Sequence, residues 1–373
     1  MTRVRPMTRD DLPAVAALYE RTMRSGTTSP PPGLAASFAR QQFDQPWYDP
    51  EIASLVCERD DGQLVGFIAV YARRILIDGR QARAACSGPL VADADAGVVA
   101  PGVLLTRAYL NGPQELSVTD GATWEMRRLW TRLGGVEWPL TTIAWTRVFA
   151  PLSMFASYFE VRRRPVKPIP GRGAVRALDR IAALPVRRWV RAPTPSTKSE
   201  PLTPAAMLEH LEAVSAGCRI RPGYDEDYLR WLLAEMAMVE SRGLLHARLV
   251  RGAQGQLLGW YVVYVPAGGI AEAVQVAATE VTAPAVLDDL CAYCAGAGAA
   301  ALRGRLDPWL FDAVSERRFN LRSSSAVLIH TRDPELGRAI LAGESFLTRL
   351  DGEWWMAPQL DPFDRPVHEP SPA

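Results

Sequence analysis

The sequence is poor in the residues that cross-link small proteins or hold metal ions. It has five cysteines and four histidines in 373 residues, and so low and odd a cysteine count argues against a disulfide framework. Cys291 and Cys294 form an isolated CxxC in an alanine-rich segment, and we expect both to be small core residues rather than a redox or metal pair. The histidines lack the spacing of zinc ligands, so we expect no metal site; they are His210, His246, His330 and His368.

An excess of charge of one sign and a long apolar run are also missing. The chain has 42 Lys and Arg against 41 Asp and Glu, a net charge of +1, which does not favour nucleic acid as a partner. The most apolar stretch, residues 259–278, contains Pro266 and Glu272 and is not a membrane span. The first residues mix Arg with Asp and lack the apolar core of a signal peptide. We therefore expect a cytoplasmic protein without a transmembrane segment.

The most informative stretch of the chain is residues 54–110. Two apolar strands with a turn at residues 60–63 are followed by a second turn, a third strand over residues 82–91, a loop of small residues, and a helix over residues 103–110. A strand that leads through such a loop into a helix presents unpaired N–H groups and the positive end of the helix dipole. This arrangement predicts an anion site at the start of the helix.

The second half of the chain repeats this pattern. Residues 255–264 match residues 62–71: each segment has Gly-Gln-Leu, one apolar residue, a glycine and a long apolar strand. A single repeat of this length indicates a tandem duplication rather than a solenoid, whose units are far shorter. The sequence therefore predicts an α/β fold, more specifically an α+β fold with mixed sheets, made of two similar domains.

A basic segment separates the two copies. Residues 161–198 contain eleven Lys or Arg and one acid, Asp179, so the rest of the chain is acidic by about nine charges. Prolines flank a short amphipathic segment here, which is typical of a linker. It could contact an anionic membrane surface or another polyanion, or its arginines could pair with the acidic domains, which the charge balance favours. We divide the chain into domains at 1–160 and 203–358, a linker at 161–202 and a tail at 359–373.

Taken together, these segments resemble the GNAT family of acyl-CoA N-acyltransferases, in its tandem-domain form. Residues 3–13 are similar to the opening strand and helix, residues 62–67 to a hairpin, residues 90–105 to the pyrophosphate loop, and residues 129–135 to a motif near the end of the fourth helix. The resemblance implies that acetyl-CoA or another acyl-CoA is the donor substrate, held by the first domain without a metal. The donor-binding residues it implies are Leu90, Val91, Gly97, Val98, Val99, Ala100, Gly102 and Val103.

The resemblance also implies the position of the site for the acyl acceptor and the position of the general base. An aromatic loop would cover the acceptor site, with Phe43, Trp47 and Tyr48 as contacts; the alternative is that these rings cap the edge of the core. Glu115 and Asp120 are the nearest candidates for a general base, because they bracket a strand that ends at the cleft. The alternative for Asp120 is an N-cap of the helix that follows.

Departures from the family pattern keep three functions open. The loop at residues 96–102 lacks the family's basic residue, and Trp130 stands where the family often has an acidic Tyr. The leading hypothesis is transfer of an acyl group to an amine or hydroxyl of a small molecule or saccharide, in envelope or exopolysaccharide biosynthesis. The alternatives are a degenerate, non-catalytic binding module and an aminoacyl-tRNA-dependent transferase whose basic linker, residues 162–191, contacts RNA.

Overall fold

The computed structural model describes residues 2–24, 26–27, 29–31, 33–93, 101–155 and 190–356. The α-helices in this part are α1 (Leu12–Met23), α2 (Leu34–Gln42), α3 (Pro101–Leu110), α4 (Trp124–Arg132), α5 (Pro204–Val214), α6 (Glu226–Ala237), α7 (Ala283–Gly296), α8 (Phe311–Glu316) and α9 (Pro334–Leu341). The strands are β1 (Thr2–Pro6), β2 (Leu55–Arg59), β3 (Leu64–Ile77), β4 (Arg80–Ala92), β5 (Leu116–Ala122), β6 (Val136–Glu137), β7 (Ile143–Val148), β8 (Lys198–Pro201), β9 (Ile220–Pro222), β10 (Leu244–Arg251), β11 (Leu257–Val265), β12 (Ile270–Ala278), β13 (Ala301–Arg305), β14 (Asn320–Ser323) and β15 (Ala326–His330).

The strands form two mixed sheets. The first has the order β1-β2-β3-β4-β5-β15-β6, with β9 paired to the far end of β3. The second has the order β14-β7-β13-β12-β11-β10-β8. Each sheet contains one parallel pair of consecutive strands, β4 with β5 in the first and β12 with β13 in the second. A helix connects the two strands of each pair, α3 in the first half and α7 in the second, as a parallel connection requires.

The internal repeat predicted from the sequence corresponds to two hairpins with the same packing. Residues 62–71 form the second strand of the β2–β3 hairpin, and residues 255–264 form that of the β10–β11 hairpin. A Cβ atom on Gly66 would lie 2.9 Å from Leu105 of α3, and one on Gly259 would lie 3.2 Å from Val286 of α7. The repeated glycine therefore lets a helix pack directly on the strand in both halves.

The two halves exchange a strand. β7 lies in the first half of the chain, but it pairs with β13 and β14 of the second sheet. Conversely, β15 lies in the second half and pairs with β5 and β6 of the first sheet. Only Ser324 and Ser325 separate β14 from β15, so the chain passes almost directly from one sheet to the other. The hydrogen-bonded sheets thus do not divide at residue 160.

The core lies on both faces of the sheets. On one face of β3, Ile68 and Val70 pack with Leu105 of α3 in a smaller cluster, whereas Phe67 and Tyr71 join the largest cluster, which continues into the second half. β3 is therefore a strand buried on both faces. Cys291 and Cys294 are buried in the same large cluster without a disulfide, as predicted.

The predicted basic linker and the predicted tail lie largely or wholly outside the described residues. The basic linker lies outside the described residues over 161–189, as does the tail at 359–373.

Within the part described, no helix has both the length and the apolarity needed to cross a bilayer. The same residues contain no group of three or more His, Cys, Asp or Glu side chains arranged to hold a metal ion.

Candidate functional site

The parallel strands of the first sheet separate part-way along their length. β4 and β5 pair only from Ala84 with Leu116 to Cys86 with Val118. Beyond this point β4 stays paired with β3, and β5 stays paired with β15. A wedge-shaped gap therefore opens between the second half of β4 and residues 119–122 of β5, facing the end of the sheet where α3 begins.

A loop from the far end of the chain reaches into this gap. The C-terminal loop, residues 347–356, places the carboxylate of Glu353 against β5, where Oε1 accepts the backbone N–H groups of Asp120 and Gly121, each at 2.9 Å. The Thr119 hydroxyl donates to Oε1 at 2.5 Å, and the Cys86 thiol donates to Oε2 at 2.9 Å. Four groups of the first sheet thus hold one carboxylate, whose residue is only 6% exposed.

The contact between the loop and the strand is reciprocal. Asp120 Oδ1 accepts the backbone N–H groups of Glu353 at 3.2 Å and Trp354 at 2.9 Å. Burial, followed by the charge and hydrogen bonding of Asp120, raises the pKa of Glu353 well above its usual value. Burial also raises the pKa of Cys86, so this residue stays a thiol that donates to Glu353.

Asp120 also lines a pocket that both halves of the chain form. Its lining residues come from β3, β4, β5 and β15 of the first sheet, from β13 of the second sheet, and from the C-terminal loop. The cavity has a volume of about 30 Å³, and the empty space including its open mouth is about 490 Å³. It therefore has room for the reacting end of a ligand rather than for a whole substrate.

Two polar atoms in this pocket have no hydrogen-bond partner among the described residues. They are Asp120 Oδ2 and Trp138 Nε1, in residues that are 1% and 2% exposed. A buried acceptor or donor without a partner costs about 1–3 kcal/mol. The pocket thus offers one acceptor and one donor to a ligand or to ordered water.

Buried arginines surround the pocket. Arg73 donates Nε to the carbonyl of Asp351 at 2.9 Å and Nη2 to that of Gly352 at 3.4 Å, which fixes the C-terminal loop on β3. Arg305 donates to Asp307 at 2.6 Å and to the carbonyl of Leu347 at 2.7 Å. The loop that carries Glu353 is therefore held by cations from both sheets.

The second half has a corresponding gap, but it is filled. β12 and β13 pair only from Ile270 with Ala301 to Ala273 with Gly304. Beyond this point the Trp309 indole donates to the carbonyl of Val276 at 3.0 Å. An aromatic side chain occupies the edge of β12, so of the two gaps that of the first half is the candidate site.

Comparison with solved structures agrees with this architecture. A probable N-acyltransferase from Enterococcus faecalis V583 matches over 89% of this chain and 73% of its own, with a TM-score of 0.55 and 12% identity. The chain has the GNAT fold. GCN5-related N-acetyltransferases from Kribbella flavida (TM-score 0.53, 13% identity) and Anabaena variabilis (TM-score 0.55, 10% identity) also match over 89% of it, covering 71% and 73% of their own chains.

The likeness is found by comparison of structures and not by comparison with family models or curated sequences. No family model matches the chain, and no curated protein matches it. At 10–13% identity the shared feature is the GNAT fold, as the sequence resemblance had predicted, and the chemistry must be argued from the site itself.

The structure separates the two predicted general bases. Asp120 lies in the pocket, but within β5 rather than in a turn; the N-cap of α4 is Thr123, whose side chain accepts the Met126 N–H. Glu115 lies before β5, where it is exposed and pairs with Arg80 at 2.6 Å. The GNAT gap therefore brings Asp120 and not Glu115 to the pocket.

The three predicted acceptor contacts are also separated. Trp47 lines the pocket, stacks on Tyr228 with ring centroids 3.5 Å apart, and donates to Asp225 at 2.7 Å. Phe43 and Tyr48 pack against each other outside it, with centroids 5.7 Å apart.

The predicted donor residues lie on the β4 side of the gap as far as the structure describes them. Leu90 and Val91 belong to β4, and Gly102 and Val103 belong to the first turn of α3. A Cβ on Gly102 would lie 3.5 Å from Leu90, so the helix start and the strand are in contact. Residues 97–100 of the predicted set lie outside the described residues.

Sequence reasoning missed Glu353, which lies 233 positions from Asp120 in the chain. One signal was available: Glu353 is followed by Trp354, Trp355 and Met356, and a carboxylate beside such apolar side chains is a candidate for burial. Its partner could not be read from the chain, because the contact depends on how the two sheets face each other.

Proposed function

We propose that this chain is an acyltransferase that moves an acyl group from acyl-CoA to an amine or hydroxyl acceptor. The observation that carries the proposal is the gap between β4 and β5, with the buried pair Asp120 and Glu353 where the strands separate. Such a gap exposes strand edges to a ligand, and the start of α3 beside it suits a phosphate group.

In this proposal the donor enters along β4, with its phosphates at the start of α3. Gly102 and Val103 would contribute N–H groups there, and the thioester carbonyl would lie near Val91. Glu353 stays on the β5 side of the gap, held by the N–H groups of Asp120 and Gly121. The donor and the C-terminal loop then use opposite edges of the same gap.

The acceptor would enter the pocket between the halves. Its nucleophilic nitrogen or oxygen attacks the thioester carbon, the C–S bond breaks, and CoA leaves as the thiol after protonation. Asp120 Oδ2, which has no partner among the described residues, would accept the proton of the nucleophile. Glu353 acts as a positioning residue, because its backbone N–H holds Asp120 Oδ1. A saccharide acceptor, a role in envelope biosynthesis and a cytoplasmic location stay predictions.

A non-catalytic binding module is the second candidate, and one observation favours it. Glu353 takes four hydrogen bonds in the gap, so the C-terminal loop already fills the β5 side of the space that a donor needs. If the loop is permanently seated there, the GNAT fold would serve to bind a ligand in the pocket without turnover.

Release of CoA thiol from acetyl-CoA in the presence of candidate amines and alcohols separates the two functions. An acyltransferase releases thiol with an acceptor, and Asp120→Asn slows release while acetyl-CoA still binds. A protein that neither releases thiol with any acceptor nor hydrolyses acetyl-CoA above the Asp120→Asn background would support the binding module.

A further inference from the structure

Arg349 is a buried cation with an incomplete set of contacts. It lies in the C-terminal loop and is 5% exposed. Its guanidinium lies over the Trp354 ring, 4.8 Å from the centroid, and within the described residues it makes no hydrogen bond or ion pair. Its Nε–H group is buried without a hydrogen-bond partner, which is costly away from water.

The other buried arginines of the same region differ from Arg349 in this respect. Arg73 donates to backbone carbonyls of the C-terminal loop, and Arg305 donates to a carboxylate and a carbonyl. Those two residues serve the fold, because their donors are used within it. Arg349 has the same burial without such partners, so a structural role does not account for its charge.

A second cation shares the Trp354 ring. The Arg242 guanidinium lies 3.6 Å from the centroid of this ring, and Nη2 donates to the Trp354 carbonyl at 2.8 Å. Burial lowers the pKa of both arginines, and the charge of Arg349 lowers that of Arg242 further. Two like charges held against one ring repel each other unless an anion lies near them.

The neighbouring acids do not fully supply this anion. Glu272 forms an ion pair with Arg303, and Asp307 forms one with Arg305. Asp120 is close enough to raise the pKa of Arg349, but it forms no ion pair with it among the described residues. Glu272 and Asp120 both act on the two arginines from a distance, but Glu272 is shared with Arg303, so the arginines outnumber these acids and a net positive charge is left.

We propose that Arg349 and Arg242 bind an anionic group, either a phosphate or a carboxylate. Arg349 lies in the loop that carries Glu353, Arg242 donates to the same loop, and the charge of Asp120 acts on both. We assign the anionic group to the acceptor, and this assignment rests on the proposed function; anion binding itself does not. The acceptor class is then an amine or alcohol that carries a phosphate or a carboxylate.

Anion binding is tested by thermal unfolding of the full chain in phosphate, in acetate and in chloride, at constant ionic strength. Saturable stabilisation by phosphate or acetate is expected, at least about tenfold weaker in Arg349→Gln, because one of two charge-assisted contacts is lost. The matched control is Arg230→Gln, which removes an exposed arginine paired with Glu226 and Asp227 on α6 and should bind as the wild type does. Stabilisation no different from chloride, or unchanged in Arg349→Gln, would overturn the site.

Arg349→Met separates a binding role from a structural one. Removing an uncompensated buried charge should leave the melting temperature without ligand at or above that of the wild type, while the phosphate or acetate response is lost. A variant that melts well below the wild type would show that the guanidinium supports the fold. If this variant does not fold, Arg242→Gln, which alters the more exposed partner, provides the same comparison.

The affinity for acetyl-CoA shows whether the bound anionic group belongs to the acceptor or to the donor. Unchanged acetyl-CoA affinity in Arg349→Gln, with a raised KM for acceptors bearing a phosphate or carboxylate and not for neutral ones, supports the acceptor assignment. A parallel loss of acetyl-CoA affinity would instead assign the site to the donor phosphates. A wild type that binds phosphate but not acetyl-CoA would contradict the proposed function and leave the anion site standing.

Discussion

At the scale of single residues, the site depends on two carboxyl groups that hold each other's backbone. Asp120 accepts N–H groups of the C-terminal loop, and Glu353 accepts N–H groups of β5. Each interaction is buried, so breaking one would leave an unpaired N–H group at a cost of about 1–3 kcal/mol. The pair therefore fixes the geometry of the pocket and leaves one oxygen, Asp120 Oδ2, directed at no described partner.

Asp120→Asn should abolish most of the transfer without removing the fold. The amide oxygen can still accept the N–H groups of Glu353 and Trp354, but the side chain no longer takes a proton. We expect kcat to fall by about 10²–10⁴-fold, the usual contribution of a general base, with acetyl-CoA affinity unchanged. Steady-state kinetics and calorimetry test this; a variant with full activity would remove Asp120 from the reaction.

Glu353→Gln should change how stability depends on pH. The pKa of Glu353 is raised in the folded chain, so the folded state binds its proton more tightly than the unfolded state does. Its stabilising contribution is therefore complete below the ordinary value of 4.5 and is lost as the pH rises through the raised value. Gln stays neutral, so the wild type should lose stability relative to the variant as the pH rises.

Melting temperatures of both proteins at about pH 5 and about pH 9 provide the measurement. Burial also raises the pKa of Asp307 and Asp351, so the stability of both proteins still changes with pH. The informative quantity is the difference in melting temperature between the wild type and the variant at each pH. If the melting temperature of the wild type instead rises relative to that of the variant as the pH rises, Glu353 is stabilised as a carboxylate.

Some site residues could be predicted from local sequence and others could not. Asp120 and Trp47 were predicted because each lies at a place where the resemblance expects contact, and both line the pocket. Glu115 was predicted by the same reasoning, but it lies at the surface, where it pairs with Arg80 of β4. Arg73 and Glu353 were missed because a charged residue in an apolar segment indicates a buried side chain but does not identify its hydrogen-bond partner.

At the scale of elements, the proposed donor site depends on the contact between β4 and the start of α3. Gly102→Asp should abolish acetyl-CoA binding, because it places a carboxylate where the phosphates would lie. Gly102→Ala is the matched control: its Cβ would meet Leu90 at 3.5 Å and Ala92 at 3.7 Å, ordinary contact distances. Calorimetric titration of both variants tests the site, and equal affinity in the two would place the phosphates elsewhere.

Element positions were predicted well where turn residues fix them. The turn between β3 and β4 has positive φ at Asp78 (50°) and Gly79 (80°), as a tight hairpin requires, and the sequence marked it. The boundary between β5 and α4 was misplaced, because Asp120-Gly121 resembles a turn while the strand continues to Ala122. Pairing with β15 extends the strand there, and no local signal reports that partner.

At the scale of the whole molecule, the exchanged strands bind the two halves into one unit. β7 completes the second sheet and β15 completes the first, so neither sheet is whole without the other half of the chain. The strand exchange could not be predicted from the sequence. An apolar pattern indicates that a strand is buried, but it does not identify the sheet to which the strand belongs.

The full chain should therefore unfold in one cooperative transition despite its two similar halves. Calorimetric and van't Hoff enthalpies should agree, as expected for a two-state process. A fragment of residues 1–155 should fail to form a stable fold, because β5 would lose its partner β15 and expose an unpaired edge. Two separate transitions in the full chain, or a stable monomeric fragment, would contradict the interdependence of the halves.

The central claim is that the first half of this GNAT fold binds an acyl-CoA while the second half does not. Calorimetric titration of the wild type with acetyl-CoA tests it most directly, because the stoichiometry counts the sites. Since Trp309 fills the second gap, we predict one molecule bound per chain, with an affinity of about a micromolar, or −8 kcal/mol. No binding to a folded sample, or two molecules per chain, would contradict the account.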